Sequence, residues 1–106
     1  MDNFNPSNGK VYGKLPASDP EDVDVAVKSC LKAFPAWSKT TRQDRSKILN
    51  KIADLIESKL DEFAAAESKD QGKPVSLART VDIPRVISNF RYFAGNAQNF
   101  HLKVTH

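Results

Sequence analysis

The chain has 106 residues, enough for one small domain that buries roughly 60–70% of its unfolded surface, so a modest core within a single unit is expected. Apolar residues make up 40% and charged residues 27%, which excludes a disordered chain, and the longest uncharged apolar run, residues 63–66, is far below the roughly 20 residues of a membrane-crossing helix. The net charge of +3 arises from 16 basic and 13 acidic residues interleaved along the sequence, so charge alone selects no acidic partner.

The start, MDNFNPSNGK, has neither a basic n-region nor an apolar h-region, and Asn5-Pro6-Ser7 fails as a glycosylation acceptor because proline holds the middle position. Cys30 is the sole cysteine, which excludes an internal disulfide and a cysteine metal cluster. These features point to a reducing, cytoplasmic setting.

In chain order, NPSNGKVYGKLP places turn formers at residues 5–9, a β-prone run at 11–15 and a stop at Pro16. This predicts an extended arm over about residues 4–16, or one hairpin strand whose partner the sequence does not reveal. A helix over about 20–34 follows. Asp19 is its N-cap, Pro20 its N1 residue, the acids of the first turn suit the helix dipole, and Pro35 is its expected end. Val23, Val27, Cys30 and Phe34 step by helical spacing and form its expected buried face.

The clearest helix covers about 41–57. It is opened by a capping box, Thr40 with Gln43 or Thr41 with Asp44, and carries Ile48, Ile52, Leu55 and Ile56 as its apolar repeat. A second box, Ser58 with Asp61, predicts a restart into a helix over 59–71 that Gly72 closes as a C-cap. The last helix spans about 76–97 with Ile83, Ile87, Phe90 and Ala94 on one face. Pro84 inside it predicts a kink or split at residues 82–84, since an interior proline costs about 3 kcal/mol.

Chemistry-bearing patterns are sparse. Gly72-Lys73 resembles the end of a phosphate loop, but the glycine required five residues earlier is Glu67, and a helix cap explains Gly72 better. Cys30 has no histidine nearby in sequence and reads as a packing residue, while His101 and His106 lie in the ragged HLKVTH end with no metal-binding constellation. Nucleic-acid binding through the lysines and arginines with Phe90, Tyr92 or Phe93 as stacking platforms is disfavoured. Phe90 belongs to the apolar stripe, and Asp44, Asp54 and Glu57 alternate with the basic residues. On a helical wheel, Arg91 falls about 80° from Ile83 and flanks the stripe, whereas Arg85 falls about 200° away, nearly opposite. Periodicity leaves that second face open between plain surface and a cavity wall where Arg85 meets an anion.

Taken in order, Ala33-Phe34-Pro35-x-Trp37, the 45–57 helix, the 67–74 turn ESKDQGKP and the block NFRYFAG resemble the N-terminal segment of the aldehyde dehydrogenase superfamily, across almost the whole chain. AESKDQGKP, ARTVDIPR and NFRYFA look most like the subgroup acting on 2-aminomuconic or 2-hydroxymuconic semialdehyde. The resemblance implies an α/β fold with a Rossmann-like cofactor domain. This segment would be a mostly α-helical part of that domain with a short N-terminal β arm. It also implies oxidation of an aldehyde to the acid with NAD or NADP: a cysteine thiolate attacks the carbonyl, hydride passes to the nicotinamide, and a glutamate-activated water releases the product.

The family's catalytic cysteine, general-base glutamate, oxyanion asparagine and cofactor strands fall beyond position 106, and Cys30 matches none of them. The implied reading is a fragment, an abbreviated product or an excised segment, inactive and without cofactor by itself, lacking the first strand of the family's N-terminal hairpin. Its implied partners are the remainder of the dehydrogenase chain and, in the complete enzyme, further copies, with no nucleic acid and no membrane. The alternative is a non-catalytic scaffold segment associating with a full-length subunit. Two site assignments follow from the resemblance. Asp70, with Asn3 or Phe4, maps to a monovalent-cation site. Arg85, with Asn89 and Tyr92 as further wall residues, maps to the mouth of the substrate tunnel, where an arginine would pair with a substrate carboxylate.

Overall fold

The computed structural model describes residues 1–99; the HLKVTH end, with His101 and His106, lies outside the described residues. The chain divides into two compact units, Met1–Thr40 and a second from Thr41 onward, rather than the single unit expected from its length.

The first unit opens with a hairpin. Strand β1, Asp2–Phe4, pairs antiparallel with β2, Val11–Lys14, in the register Asp2↔Lys14, Asn3↔Gly13 and Phe4↔Val11, with an irregularity between Asn3 and Phe4. The partner strand that sequence reasoning takes to be missing is therefore present. It escapes notice because Asp and Asn disfavour strands and three residues carry no alternation. Its turn is built by Asn5, whose Oδ1 accepts from Ser7 N at 2.9 Å and whose carbonyl accepts from Gly9 N at 2.8 Å. Gly9 takes a φ of 67°, the left-handed region that favours glycine.

Helix α1, Pro20–Trp37, begins where the cap signals place it. Asp19 Oδ1 accepts from Asp22 N at 3.0 Å, and Asp22 Oδ2 accepts from Asp19 N at 3.2 Å, so the acidic run caps the helix. Two expectations fail here. The helix runs through Pro35 to Trp37, because a proline in the last turn forfeits a single bond. The open end is then closed by Ser38 N to Phe34 O at 2.8 Å and by Thr40 Oγ1 to Trp37 O at 2.7 Å. The stripe of Val23, Val27, Cys30 and Phe34 is exposed, and no residue of α1 is buried.

In the second unit, α2 spans Arg42–Ser58 with Thr41 as N-cap, which decides between the two candidate boxes. Thr41 Oγ1 accepts from Asp44 N at 3.1 Å and its hydroxyl donates to Asp44 Oδ2 at 2.7 Å. That hydroxyl, followed by nearby Lys47, holds the Asp44 carboxyl below its ordinary value of 3.8. The buried line of α2 is Ser46 and Ala53, with Leu49, Ile52 and Ile56 half-buried, whereas Ile48 and Leu55 face outward. Ile48 and Leu55 each follow a buried small residue by two positions, about 200° around the wheel, and so stand nearly opposite the seam: α2 packs chiefly on the last helix, and small side chains at the seam permit that close approach.

Helix α3, Leu60–Gln71, restarts at Lys59, as the break predicts, but not through a Ser58 box. Ser58 Oγ turns back to Leu55 O at 2.8 Å, and Lys59, with φ −120° and ψ 27°, makes the break without a side-chain cap. Gly72 ends α3 with φ 75° and donates to Ser68 O at 2.9 Å.

The last element is tripartite. A short α4, Val75–Leu77, passes into a π turn, Ala78–Asp82, and then into α5, Ile83–Asn99. The split therefore lies just before Pro84 and takes the form of a widened turn, in which Ile83 N–H reaches Ala78 O. This supplies the compensation for Pro84, since a backbone already re-registered by one residue does not press the proline ring against a carbonyl one α-turn earlier. Ile83, Ile87 and Ala94 are buried, and Phe90 packs against the core cluster that holds the two isoleucines. Ala53, Ala64, Ala78, Ile83 and Ile87 form the core cluster, joined by Ile56 and Leu60. No described buried side-chain nitrogen or oxygen lacks a partner, and no described helix is long and apolar enough to cross a membrane.

Candidate functional site

α5 presents two arginines in opposite circumstances. Arg91, beside the buried stripe, is consumed in structure: Nη1 donates to Asp54 at 2.9 Å and Nη2 to Glu57 at 2.6 Å, binding α5 to α2. The two carboxylates push its guanidinium pKa above the ordinary value, Asp54 foremost. Arg85 is exposed on the far side of the helix. Its side chain makes no hydrogen bond or ion pair with any described residue, and its carbonyl accepts from Ser88 Oγ at 3.0 Å. A planar guanidinium with all donors open is suited to gripping a carboxylate by two parallel hydrogen bonds.

Asn89 and Tyr92 follow Arg85 at i+4 and i+7, on the same outer face, and both are exposed. Tyr92 packs edge-on against Phe93, with ring centroids 5.4 Å apart. These two rings, Asn96 and Ala97 line a groove of about 660 Å³ with Arg42 and Arg45 of α2. Arg85 and Asn89 do not line it. The helix thus aligns Arg85, Asn89 and Tyr92 along one face, while only Tyr92 reaches the groove.

The residues mapped to a cation site fall in different units. Asn3 belongs to the hairpin, where its side-chain amide donates to Tyr12 OH at 2.8 Å, and Phe4 ends β1. Asp70 lies in the last turn of α3 and borders a second hollow, of about 360 Å³, with Glu67, Ile56, Phe63, Ala66, Ile83 and Val86. Neither unit alone assembles the set. Nor do the described residues form a dinucleotide cradle: the segment between β2 and α1, residues 15–19, contains no glycine.

Sequence reasoning missed one cluster. Lys73, dismissed with the phosphate-loop idea, is only 27% exposed and donates to Asp82 Oδ2 at 2.8 Å, with Glu67 Oε1 at 2.9 Å. These two carboxylates, Asp82 first, raise its ammonium pKa above the usual 10.5. Ser68 Oγ fixes the same turn through Lys73 O at 2.6 Å. The available signal was a lysine directly after a helix-ending glycine, with acids six residues before and nine after it.

Comparison with known proteins agrees with this architecture. A profile described as "Aldehyde dehydrogenase family" matches residues 1–106. The 2-aminomuconic semialdehyde dehydrogenases of Homo sapiens and Danio rerio are 52% and 56% identical over 97 and 96 residues, covering 92% and 91% of this chain and 20% of each relative. A putative aldehyde dehydrogenase from Burkholderia cenocepacia, 40% identical, superposes with a TM-score of 0.92 over 95% of this chain and 21% of its own. PnpE in complex with nicotinamide adenine dinucleotide, 38% identical, also gives 0.92 with the same coverage. The chain thus spans about a fifth of the length of the proteins it matches.

Proposed function

Since the chain belongs to the aldehyde dehydrogenase family, we propose that it serves as the N-terminal portion of an NAD- or NADP-dependent enzyme that oxidises a carboxylate-bearing semialdehyde of the 2-aminomuconic type. The observation that carries the substrate class is the unpaired Arg85 guanidinium, held on the α5 face opposite the core by a helix that buries Ile83, Ile87 and Ala94 on its other side. In this reading Arg85 orients the substrate by its carboxylate, with Asn89 and Tyr92 beside it, and binding energy from that remote group aligns the aldehyde for attack. The attacking cysteine, the general base and the nicotinamide site belong to the rest of the enzyme, so the 106 residues alone turn over no aldehyde. Homo-oligomeric assembly and a cytoplasmic setting accompany this proposal. So does a monovalent cation at Asp70 with main-chain oxygens near Asn3 and Phe4, supported by the preference of hard cations for oxygen donors.

The test is steady-state kinetics of the complete enzyme with Arg85→Ala. Loss of a desolvated charge-assisted pair worth about 1.5–3 kcal/mol raises KM for the carboxylate-bearing semialdehyde roughly 10- to 100-fold, and much less for a simple aliphatic aldehyde. Equal effects on both substrates refute carboxylate pairing.

A second reading, a scaffold segment that binds a full-length subunit without catalysis, is favoured by the uncovered apolar stripe of α1. Co-purification of the 106-residue chain with a full-length relative supports it. Failure to associate, with activity restored only when the segment is covalently continuous with the rest, excludes it.

A further inference from the structure

The π turn decides which way Arg85 points. An uninterrupted α-helix advances about 100° per residue, so Arg85, seven residues after Ala78, would fall within about 20° of it. Ala78 is fully buried, so such a helix would turn Arg85 toward the core, while Ile83 would stand about 140° away from the face it needs. The structure shows Ala78 and Ile83 together in the core cluster, five residues apart and joined by the hydrogen bond from Ile83 N–H to Ala78 O, with Arg85 exposed. The extra residue accommodated in the π turn lets Ala78 join Ile83 in the core while Arg85 stays on the outer face.

A wide turn is the less stable backbone form, and it persists where surrounding contacts hold it. Two side chains tether this one to α3. Arg79 pairs with Asp61, both largely exposed, which is a weak restraint. Asp82, the last residue of the turn, is held by Lys73 at 2.8 Å, and Lys73 is itself anchored by Glu67 at 2.9 Å and by the Ser68 hydroxyl on its carbonyl, with all three side chains of the ion cluster roughly two-thirds covered. Asp82 is three residues from Arg85 and separated from it by Ile83 and the φ-locked Pro84.

We propose that Lys73 is a positioning residue for substrate selectivity: through Asp82 it holds the π turn in the register that presents Arg85 to a substrate carboxylate. The inference rests on the role assigned to Arg85 above. It goes beyond that role in placing a determinant of selectivity on a lysine outside α5 whose ammonium is engaged by Glu67 and Asp82.

The experiment uses the complete enzyme carrying this segment, as wild type, Lys73→Met, Lys73→Arg, Asp82→Asn and Arg85→Ala. Each is assayed with a carboxylate-bearing semialdehyde and a neutral aliphatic aldehyde, and amide exchange of the peptide over residues 78–84 is followed by mass spectrometry. Lys73→Met and Asp82→Asn are expected to speed exchange in that peptide. They should also lower the ratio of kcat/KM between the two substrates about tenfold, mostly through KM, whereas Lys73→Arg restores both readouts. Wild-type exchange and selectivity in Lys73→Met, with selectivity lost in Arg85→Ala, overturn the positioning role alone. Faster exchange in Lys73→Met with no selectivity loss in Arg85→Ala overturns the carboxylate reading on which the role depends.

Discussion

Ile87→Ala tests the packing that fixes the orientation of α5. Ile87 sits at the middle of the stripe, 7% exposed, in the cluster with Ala53, Ala64, Ala78 and Ile83. Truncation removes three buried carbons, about 2.4 kcal/mol at roughly 0.8 kcal/mol per methylene, and a residual cavity adds to that, giving about 3 kcal/mol. A unit of roughly 60 residues has only about 3–9 kcal/mol of total stability, so the variant loses a third or more of it. The assay is urea unfolding of the chain followed by far-UV circular dichroism, with Val27→Ala as control. Val27 has the same kind of side chain at the same kind of helical spacing, but it is 51% exposed on α1, and its truncation should cost within about 0.5 kcal/mol. Equal midpoint shifts for Ile87→Ala and Val27→Ala would refute the assignment of the core to the α2–α5 seam.

Gly72→Ala forces a β-carbon into the left-handed region at φ 75° and should cost about 1–2 kcal/mol, read as a lower urea midpoint. Thr41→Val removes the hydroxyl that stabilises ionised Asp44. The Asp44 carboxyl should then titrate closer to 3.8 by NMR, and the stability it contributes, present above 3.8 and lost as pH falls through its depressed folded value, should shrink. Lys73 has the opposite sign. Its folded pKa is raised, so its contribution is complete below 10.5 and is lost as pH rises through the higher folded value. Lys73→Met should remove that alkaline limb from a stability-versus-pH curve.

What the sequence discloses is what local chemistry enforces. Asp19 and Pro20 start α1, Gly72 ends α3, and the 4-3-4 spacing of Ile83 to Ala94 marks the buried face of α5, because each depends on neighbours within one helical turn or on a single periodicity. The failures depend on contacts between distant segments. β1 is three residues, two of them poor strand formers, that exist as a strand through pairing with β2. The seam of α2 follows Ser46 and Ala53 rather than the larger Ile48 and Leu55, since closeness to α5 rewards small side chains. Ser58 was free to cap α3 or to bond back to Leu55, and it does the latter. The π turn has no composition signal beyond Pro84, and it declares itself only through the five-residue spacing of Ala78 and Ile83 in one core.

Arg85 and Arg91 show why residue type alone could not assign the site. They lie six residues apart on one helix, about 600° of rotation or 120° around the axis away from one another. Arg91 meets two carboxylates of α2 and becomes a strut between helices; Arg85 meets none among the described residues. The difference is set upstream, where one additional residue in the turn before Pro84 rotates the whole of α5 relative to α4. Without that residue the helix would carry Arg85 toward the core and Ile83 away from it, a double cost of an unpaired buried charge and an exposed apolar side chain. The packing of Ile83 and Ile87 and the presentation of Arg85 are therefore one structural decision. A variant that relaxes the turn is expected to perturb core stability and carboxylate selectivity together, while one that changes Arg85 alone perturbs only the second.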